Sequence, residues 1–271
     1  MIEIKEQRLN DELKTYGSVI VAFSGGADSA YLAWAATQQL HEHVLCITAD
    51  SPSYPEHHRQ LALSVARDFN LRHEIIRTDE LERPEYRANP VDRCYYCKHE
   101  LYSALTAIAR ERGIAVIVDG NNADDRGDYR PGRQAAREFG IRSPLDAAGL
   151  SKDDVRELSR RAGLPTWNEP ASACLSSRIP YHSEVTDGKL RMIEQAEVAL
   201  HNLGFRVCRV RHHDAHARVE IGSDELQRAL DEPMRDRVIE ELIAVGYEQV
   251  TIDPKGYRMG SLNEGVRLRL A

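Results

Sequence analysis

Short apolar runs punctuate the first two-thirds of the chain: Val19-Ile20-Val21-Ala22-Phe23, Val44-Leu45-Cys46-Ile47-Thr48-Ala49, His73-Glu74-Ile75-Ile76 and Ala115-Val116-Ile117-Val118-Asp119. Their length and β-branched content are those of buried strands. Between them, residues 30–36, 55–69 and 95–112 carry helical patterns. Strand–helix alternation of this kind predicts a parallel sheet with helices on both faces, and ligands then bind at the carboxyl ends of the strands. Polar loops start at three such ends, at 24–29, 50–55 and 119–130. Ser151-Lys152-Asp153-Asp154 opens a further helix with a capping box, which Gly163 and Pro165 close. A loop rich in small and polar residues follows at 165–182. Beyond it come a helix at 189–203, strands at 205–211 and 217–221, a helix at 234–245 and a strand at 249–253. The expected organisation is two domains, 1–180 of α/β type and 181–271 of smaller α+β type.

The loop after the first strand is Ser24-Gly25-Gly26-Ala27-Asp28-Ser29. Strand before and helix after place free backbone N–H groups and the positive end of a helix dipole around one point, which suits a phosphate. Glycines permit close backbone approach. Ser24 and Ser29 add hydroxyl donors, and Asp28 is placed to hold a metal ion on the phosphates. No lysine follows the glycines, so the loop is not a Walker A motif, and the adjacent glycines do not fit Gly-x-Gly-x-x-Gly either. Ala22, Ala49 and Gly120 stand at or beside strand ends, where backbone atoms would meet adenine and ribose.

Net charge is −7 over 271 residues, and the isoelectric point of about 5.9 weighs against a polyanionic partner such as nucleic acid. Mean hydropathy is −0.51. No stretch is apolar enough to span a membrane and no signal-peptide core follows Met1, so a cytoplasmic protein is expected. There, five cysteines are free, metal-binding or catalytic rather than bridged. Cys94-Tyr95-Tyr96-Cys97 suits a redox pair, half of a zinc site or two ligands of an iron–sulfur cluster. Cys174 has small neighbours that leave its thiol accessible, and Arg178 lies close in sequence. Cys46 and Cys208 fall inside strands as core residues. Arg209 and Arg211 share a side of their strand. Two guanidiniums on one face suit a phosphate, the plain alternative being a solvated strand face. Asp124, Asp125 and Asp128 form an acidic cluster that suits either a solvated loop or a contact to Mg²⁺, and Asp128 is favoured for Mg²⁺ only because it belongs to the Asp-Tyr-Arg-Pro-Gly segment. His212 and His213 face opposite ways and are left unassigned.

Ser-Gly-Gly-x-Asp-Ser resembles the pyrophosphate (PP) loop of the ATP pyrophosphatases, which split ATP to AMP and pyrophosphate. This implies a PP-loop, adenine nucleotide alpha hydrolase-like fold for the first domain. That loop, together with Asp119-Gly120, Asp128-Tyr129-Arg130-Pro131-Gly132, Ala171 through Arg178 with Pro180-Tyr181, and Arg209-Val210-Arg211, resembles the LarE family. These are ATP-dependent sulfur transferases that mature the nickel-pincer nucleotide cofactor of lactate racemase, and the similarity runs from about residue 19 to 253. The resemblance implies that ATP adenylates a carboxylate of a pyridinium biscarboxylate mononucleotide. A cysteine matching Cys174 then attacks, AMP leaves, and a thiocarboxylate results. The single-cysteine variant of the family gives up its own sulfur. The variant with an added C-x-x-C holds a [4Fe–4S] cluster that delivers sulfide, and Cys94, Cys97 and Cys174 match that variant. Ser177, Arg178, Glu197, Arg209 and Arg211 match positions near the substrate and its phosphate. Glu197 is otherwise an ordinary exposed helix residue. ATP, Mg²⁺ and the cluster are thus the implied cofactors. A mononucleotide and a sulfide donor are the implied partners, and a homo-oligomer is expected. The alternatives are a tRNA 2-thiolation enzyme of the same superfamily, an ATP-dependent amidating enzyme, and, in another class, a nucleotide-binding iron–sulfur redox sensor.

Overall fold

Strands form where the β-branched runs stand. The computed structural model describes residues 1–127, 131–170 and 173–258. β1 (Val19–Ala22), β2 (Val44–Asp50), β3 (His73–Arg77) and β4 (Val116–Val118) make one sheet in the order β3-β2-β1-β4, with every pairing parallel. In chain order the helices up to Arg161 are α1 (Ile2–Lys14), α2 (Ala27–Leu40), α3 (Glu56–Asp68), α4 (Pro84–Arg87), α5 (Arg93–Arg112), α6 (Gly132–Glu138), α7 (Pro144–Ala147) and α8 (Lys152–Arg161). Side chains alternate across the sheet. Val19, Val21, Val44, Cys46 and Val118 pack with α1, α2, α3 and α8 on one face. Ile20, Leu45, Ile47 and Ile117 pack with Tyr102 and Leu105 of α5 and Ala135 of α6 on the other. Burial on both faces is why these strands read as continuous apolar runs rather than as alternating ones. At α8, the Ser151 hydroxyl accepts the Asp154 N–H at 3.2 Å and the Asp154 carboxylate accepts the Ser151 N–H at 3.0 Å. Lys5 of α1 joins that carboxylate at 2.5 Å.

The chain divides into two compact units. The first comprises Met1–Glu80 and the described residues of 92–172; the second comprises Leu81–Val91 and the described residues from Ala173. Within the second unit, Asn89 fastens Leu81–Val91 by donating from Nδ2 to the carbonyls of Pro180 (2.8 Å) and Ser183 (3.0 Å). The Tyr86 and Ser176 hydroxyls are 2.6 Å apart.

The second unit holds α9 (Asp187–Asn202), α10 (Ser223–Leu230) and α11 (Met234–Val245). They pack on a three-stranded sheet of β5 (Cys208–His213), β6 (His216–Ile221) and β7 (Gln249–Ile252). β5 runs antiparallel to β6, and β7 parallel to it. The strand expected at 205–211 starts three residues later. The Phe205 N–H is taken by the Leu200 carbonyl at 3.1 Å, and those of Arg206 and Val207 by the Glu225 carboxylate at 2.8 and 3.4 Å. These residues therefore have no N–H left for the ladder. Phe205, Cys208, Val210, Val219 and Leu242 are among the residues of this unit's core. Among the described residues no helix is long and apolar enough to cross a membrane.

Candidate active site

The strand-to-helix turn after β1 is built by its glycines and serines. Gly25 has φ +69°, and a Cβ there would lie 2.9 Å from the Ala62 nitrogen of α3, so only glycine fits. Gly26 caps α2 with extended backbone. The Ser29 hydroxyl donates to the Gly26 carbonyl at 3.1 Å, accepts the Ser24 N–H at 3.2 Å and lies 3.1 Å from the Ser24 hydroxyl. The turn is thus closed on itself at the N-terminus of α2, where helix N–H groups are free to meet an anion. Asp28 sits in the first turn of α2. Burial raises its carboxyl pKa; Asp125 adds to the rise, while Asn122, Lys152 and Arg156 oppose it. A divalent cation would offset that penalty, so the donor chemistry fits a metal there.

The neighbouring strand ends bear on this turn. The Tyr54 hydroxyl, in the loop after β2, donates to the Ser24 carbonyl at 2.9 Å. Ala22 closes β1, and Ala49 lies at the end of β2. Gly120 follows β4, and a Cβ on it would stand 3.0 Å from the Ser29 nitrogen. Its lack of a side chain therefore lets this strand end lie against the first turn of α2. Asp119 beside it is buried and accepts from Tyr102 (2.8 Å), Ser143 (2.7 Å) and the Asn121 amide (2.6 Å). Asp124 is exposed, whereas Asp125 is buried and accepts the Asn122 N–H at 3.1 Å. Asp128, with Tyr129, Arg130 and Ala171 of the resembling motifs, lies outside the described residues.

Cys94 and Cys97 occupy the start of α5, three residues apart and so on one helix face. Cys94 is exposed and Cys97 half-buried. Beside them opens a cavity of about 760 Å³ lined by, among others, Tyr95, Tyr96, Arg126, Arg133 and Asp146. Asp146 pairs with both arginines, at 2.8 Å from Arg133. Cys174 belongs to the second unit and is half-buried. Among the described residues no three of His, Cys, Asp and Glu are grouped as a metal site.

In the second unit a guanidinium organises the segment after Cys174. Arg178 is 1% exposed. It makes a bidentate pair with Glu197 (Nε to Oε1 2.9 Å, Nη2 to Oε2 2.8 Å). Its Nη1 donates to the carbonyls of Ala173 (2.6 Å) and Cys174 (3.0 Å) and to the Ser177 hydroxyl (3.0 Å). Glu197, expected on an exposed helix face, is 7% exposed and also accepts the Val210 N–H at 2.9 Å. It faces inward because the α9 stripe that carries Ala196 and Leu200 packs on β5. Burial, the largest single influence, raises its pKa, but the charge and hydrogen bonds of Arg178, the charge of Arg209 and the Val210 N–H together outweigh it and the net shift is downward.

Arg209 and Arg211 do share a face, but both are buried rather than solvated. Arg211 pairs with Glu220 at 2.7 Å and donates to the Ser177 carbonyl at 2.9 Å. Arg209 donates to the Cys208 carbonyl at 2.6 Å and stacks 5.2 Å from the Tyr257 ring centroid. Burial and the nearby Arg178 charge depress its pKa. Ser177, Arg178, Glu197 and Arg211 are therefore linked by hydrogen bonds, which Glu220 joins, while Arg209, with Tyr257 on its guanidinium, feels the charges of Arg178 and Glu197. Sequence reasoning missed Glu220 and Tyr257. Glu220 stands opposite Arg209 in the ladder and reaches diagonally to Arg211, a signal available only once β5 and β6 are set in register. His212 is buried and meets the Tyr247 hydroxyl at 2.9 Å, while His213, the last residue of β5, is exposed.

Taken alone, the first unit is a Rossmann-like α/β domain, with a glycine-dependent turn between the first strand of its parallel sheet and the following helix. No protein-family model matches the chain, but whole-length relatives do. An uncharacterized protein of Synechocystis sp. is 39% identical over 263 residues, 97% of this chain and 98% of its own. The pyridinium-3,5-bisthiocarboxylic acid mononucleotide synthase of Lactiplantibacillus plantarum is 36% identical over 261 residues, 96% of this chain and 94% of its own. An uncharacterized protein of Methanocaldococcus jannaschii is 30% identical over 240 residues, 89% and 90% of the two chains. The chain belongs to the LarE family, that of the L. plantarum synthase.

Proposed function

We propose that this protein is an ATP-dependent sulfur transferase of nickel-pincer cofactor synthesis. In this reading it adenylates a carboxylate of pyridinium-3,5-biscarboxylate mononucleotide and converts it to a thiocarboxylate. The observation that carries the reading is the match to a named bisthiocarboxylic acid mononucleotide synthase along nearly the whole chain. The turn at Ser24, Gly25, Gly26 and Ser29 is the proposed PP-loop. Its N–H groups and hydroxyls hold the ATP phosphates, with Asp28 and Asp128 toward Mg²⁺ and Ala22, Ala49 and Gly120 beside the nucleoside. A substrate carboxylate oxygen attacks the α-phosphorus, and the bond to pyrophosphate breaks. A sulfur nucleophile then attacks the acyl carbon, and the carbon–oxygen bond to AMP breaks.

Arg209 and Arg211 are the proposed phosphate ligands. Burial and the nearby Arg178 charge depress the Arg209 pKa, and a bound phosphate dianion would offset both. Arg178, already committed to Glu197 and to two carbonyls, fixes the backbone on either side of the Cys174 amide, and Ser177 hangs from the same guanidinium. Cys94, Cys97 and Cys174 would hold a [4Fe–4S] cluster, which would supply sulfide. Two half-exposed or exposed thiols on one helix face suit such a ligand set. Without a cluster, the Cys174 thiolate itself attacks. Loss of its Cα proton and cleavage of its Cβ–S bond then leave dehydroalanine in the protein and sulfur on the product.

The test is mass spectrometry of substrate and protein after incubation with ATP, Mg²⁺ and the biscarboxylate mononucleotide. Thiocarboxylate formation that Cys174→Ala abolishes is the expected result. Absence of sulfur in the product, with wild-type protein reconstituted with iron and sulfide, overturns the reading.

A further inference from the structure

A buried carboxylate in the first unit has no part in the reaction just described. Glu80 is 2% exposed. Its Oε1 accepts the hydroxyls of Ser51 (2.5 Å) and Ser53 (2.8 Å), and its Oε2 accepts that of Thr78 (2.9 Å). None of its partners among the described residues is a cation. Three neutral hydroxyls are weak compensation for a carboxylate taken out of water, and hydrophobic packing would fill the same space at lower cost. Such a group is better explained by what it holds in place than by stability.

What it holds is the loop after β2. Ser51 and Ser53 follow that strand, Thr78 follows β3, and Glu80 starts the 3-10 turn Glu80–Glu82. Oε1 pulls both serines to one point, and the Tyr54 N–H closes on the Ser51 carbonyl at 2.9 Å. That turn sets the direction of Tyr54, whose hydroxyl donates to the Ser24 carbonyl at 2.9 Å. Burial and Asp50 push the Tyr54 phenol upward, so it stays a donor. Four contacts thus lead from Glu80 through Ser51 and Ser53 and through Tyr54 to the glycine turn.

We propose that Glu80 is a positioning residue of the nucleotide site, holding the glycine turn in its phosphate-binding shape through the Ser51-Ser53-Tyr54 loop. The inference rests on the reading of the glycine turn as the ATP site. It acts on nucleotide affinity first, since no atom of Glu80 needs to meet the nucleotide.

The experiment is calorimetric titration of the full chain with α,β-methylene ATP, which cannot be cleaved to pyrophosphate, alongside melting temperatures. Glu80→Ala is expected to raise Kd about tenfold, and Tyr54→Phe severalfold, with the double variant no weaker than Glu80→Ala because both act through one chain of contacts. Glu80→Gln recovers most of the loss, since an amide oxygen still accepts both serines and the Thr78 hydroxyl can turn to accept from the amide. Wild-type affinity in Glu80→Ala, or strictly additive effects, overturns the proposal. If Glu80→Ala fails to fold, Ser53→Ala and Tyr54→Phe decide by the same criterion. Failure of the wild type to bind the analogue overturns the reading of the site, whereas wild-type binding that Glu80→Ala leaves intact overturns only the role of Glu80.

Discussion

Replacing Arg178 by Met keeps a flexible unbranched stem but removes the guanidinium and its charge. The bidentate pair with Glu197 goes, as do the bonds to the Ala173 and Cys174 carbonyls. Glu197 remains buried with the Val210 N–H and the field of Arg209 for company. Removing one partner of a buried ion pair costs about 3–5 kcal/mol, and the persistence of Arg209 places the expected loss near the lower end, at about 3 kcal/mol. The loss depends on pH in a stated direction. In the wild type the Glu197 pKa lies below its ordinary value. The stability this contributes is present above the unfolded value of about 4.3 and is lost as pH falls through the folded one. Without Arg178, burial dominates and the folded pKa rises. The variant is then penalised most at neutral pH, and recovers as pH falls through that raised value. Urea unfolding followed by far-UV circular dichroism at about pH 7.5 and pH 5 measures both effects. The gap between wild type and variant should be wide at the higher pH and narrow at the lower. A loss under about 1 kcal/mol, or an equal loss at both pH values, refutes the assignment of Arg178 and Glu197 as a stability-bearing pair.

Gly25→Ala must place a side chain at φ +69° and 2.9 Å from the Ala62 nitrogen. A cost of at least about 1–2 kcal/mol in thermal melting is expected, with loss of nucleotide binding by calorimetry. His57 meets Glu169 at 3.2 Å, and that bond raises the histidine pKa. The advantage of wild type over His57→Gln should be full below about pH 6.5 and vanish as pH rises through the folded value. Exposure keeps it under about 0.5 kcal/mol, which melting curves at pH 5.5 and 8 resolve. Anaerobically prepared protein should be brown, and Cys94→Ala should lose iron by elemental analysis together with turnovers beyond the first. Colourless, zinc-loaded wild type refutes the cluster.

The parallel sheet was legible because strands buried on both faces leave continuous apolar runs, as 19–23 and 44–49 do. The capping box at Ser151 and Asp154 was legible because it is local. Facts that depend on distant residues were not. Leu81–Val91 belongs to the second unit because Asn89 bonds carbonyls some ninety residues onward, and nothing in that stretch announces it. Glu197 reads as surface in sequence because its burial is set by Arg178 and the β5 backbone. The strand expected at 205–211 slipped because Glu225, from α10, claims two of its N–H groups. Of the candidate site, the glycine turn was recognisable from its residues alone. The linked set around Arg178, Arg209 and Arg211 was named residue by residue through family resemblance, while its pairing with Glu220 and Tyr257 emerged only from the folded chain.

The central claim is that ATP cleavage here serves to activate a mononucleotide carboxylate. It is tested most directly by pyrophosphate release from ATP and Mg²⁺ with each of three additions: the pyridinium biscarboxylate mononucleotide, unmodified tRNA, or nothing. Release that depends on the mononucleotide, with AMP formed in equal amount, is the predicted result. Release stimulated by tRNA and not by the mononucleotide, or bound nucleotide with no pyrophosphate under any condition, contradicts it.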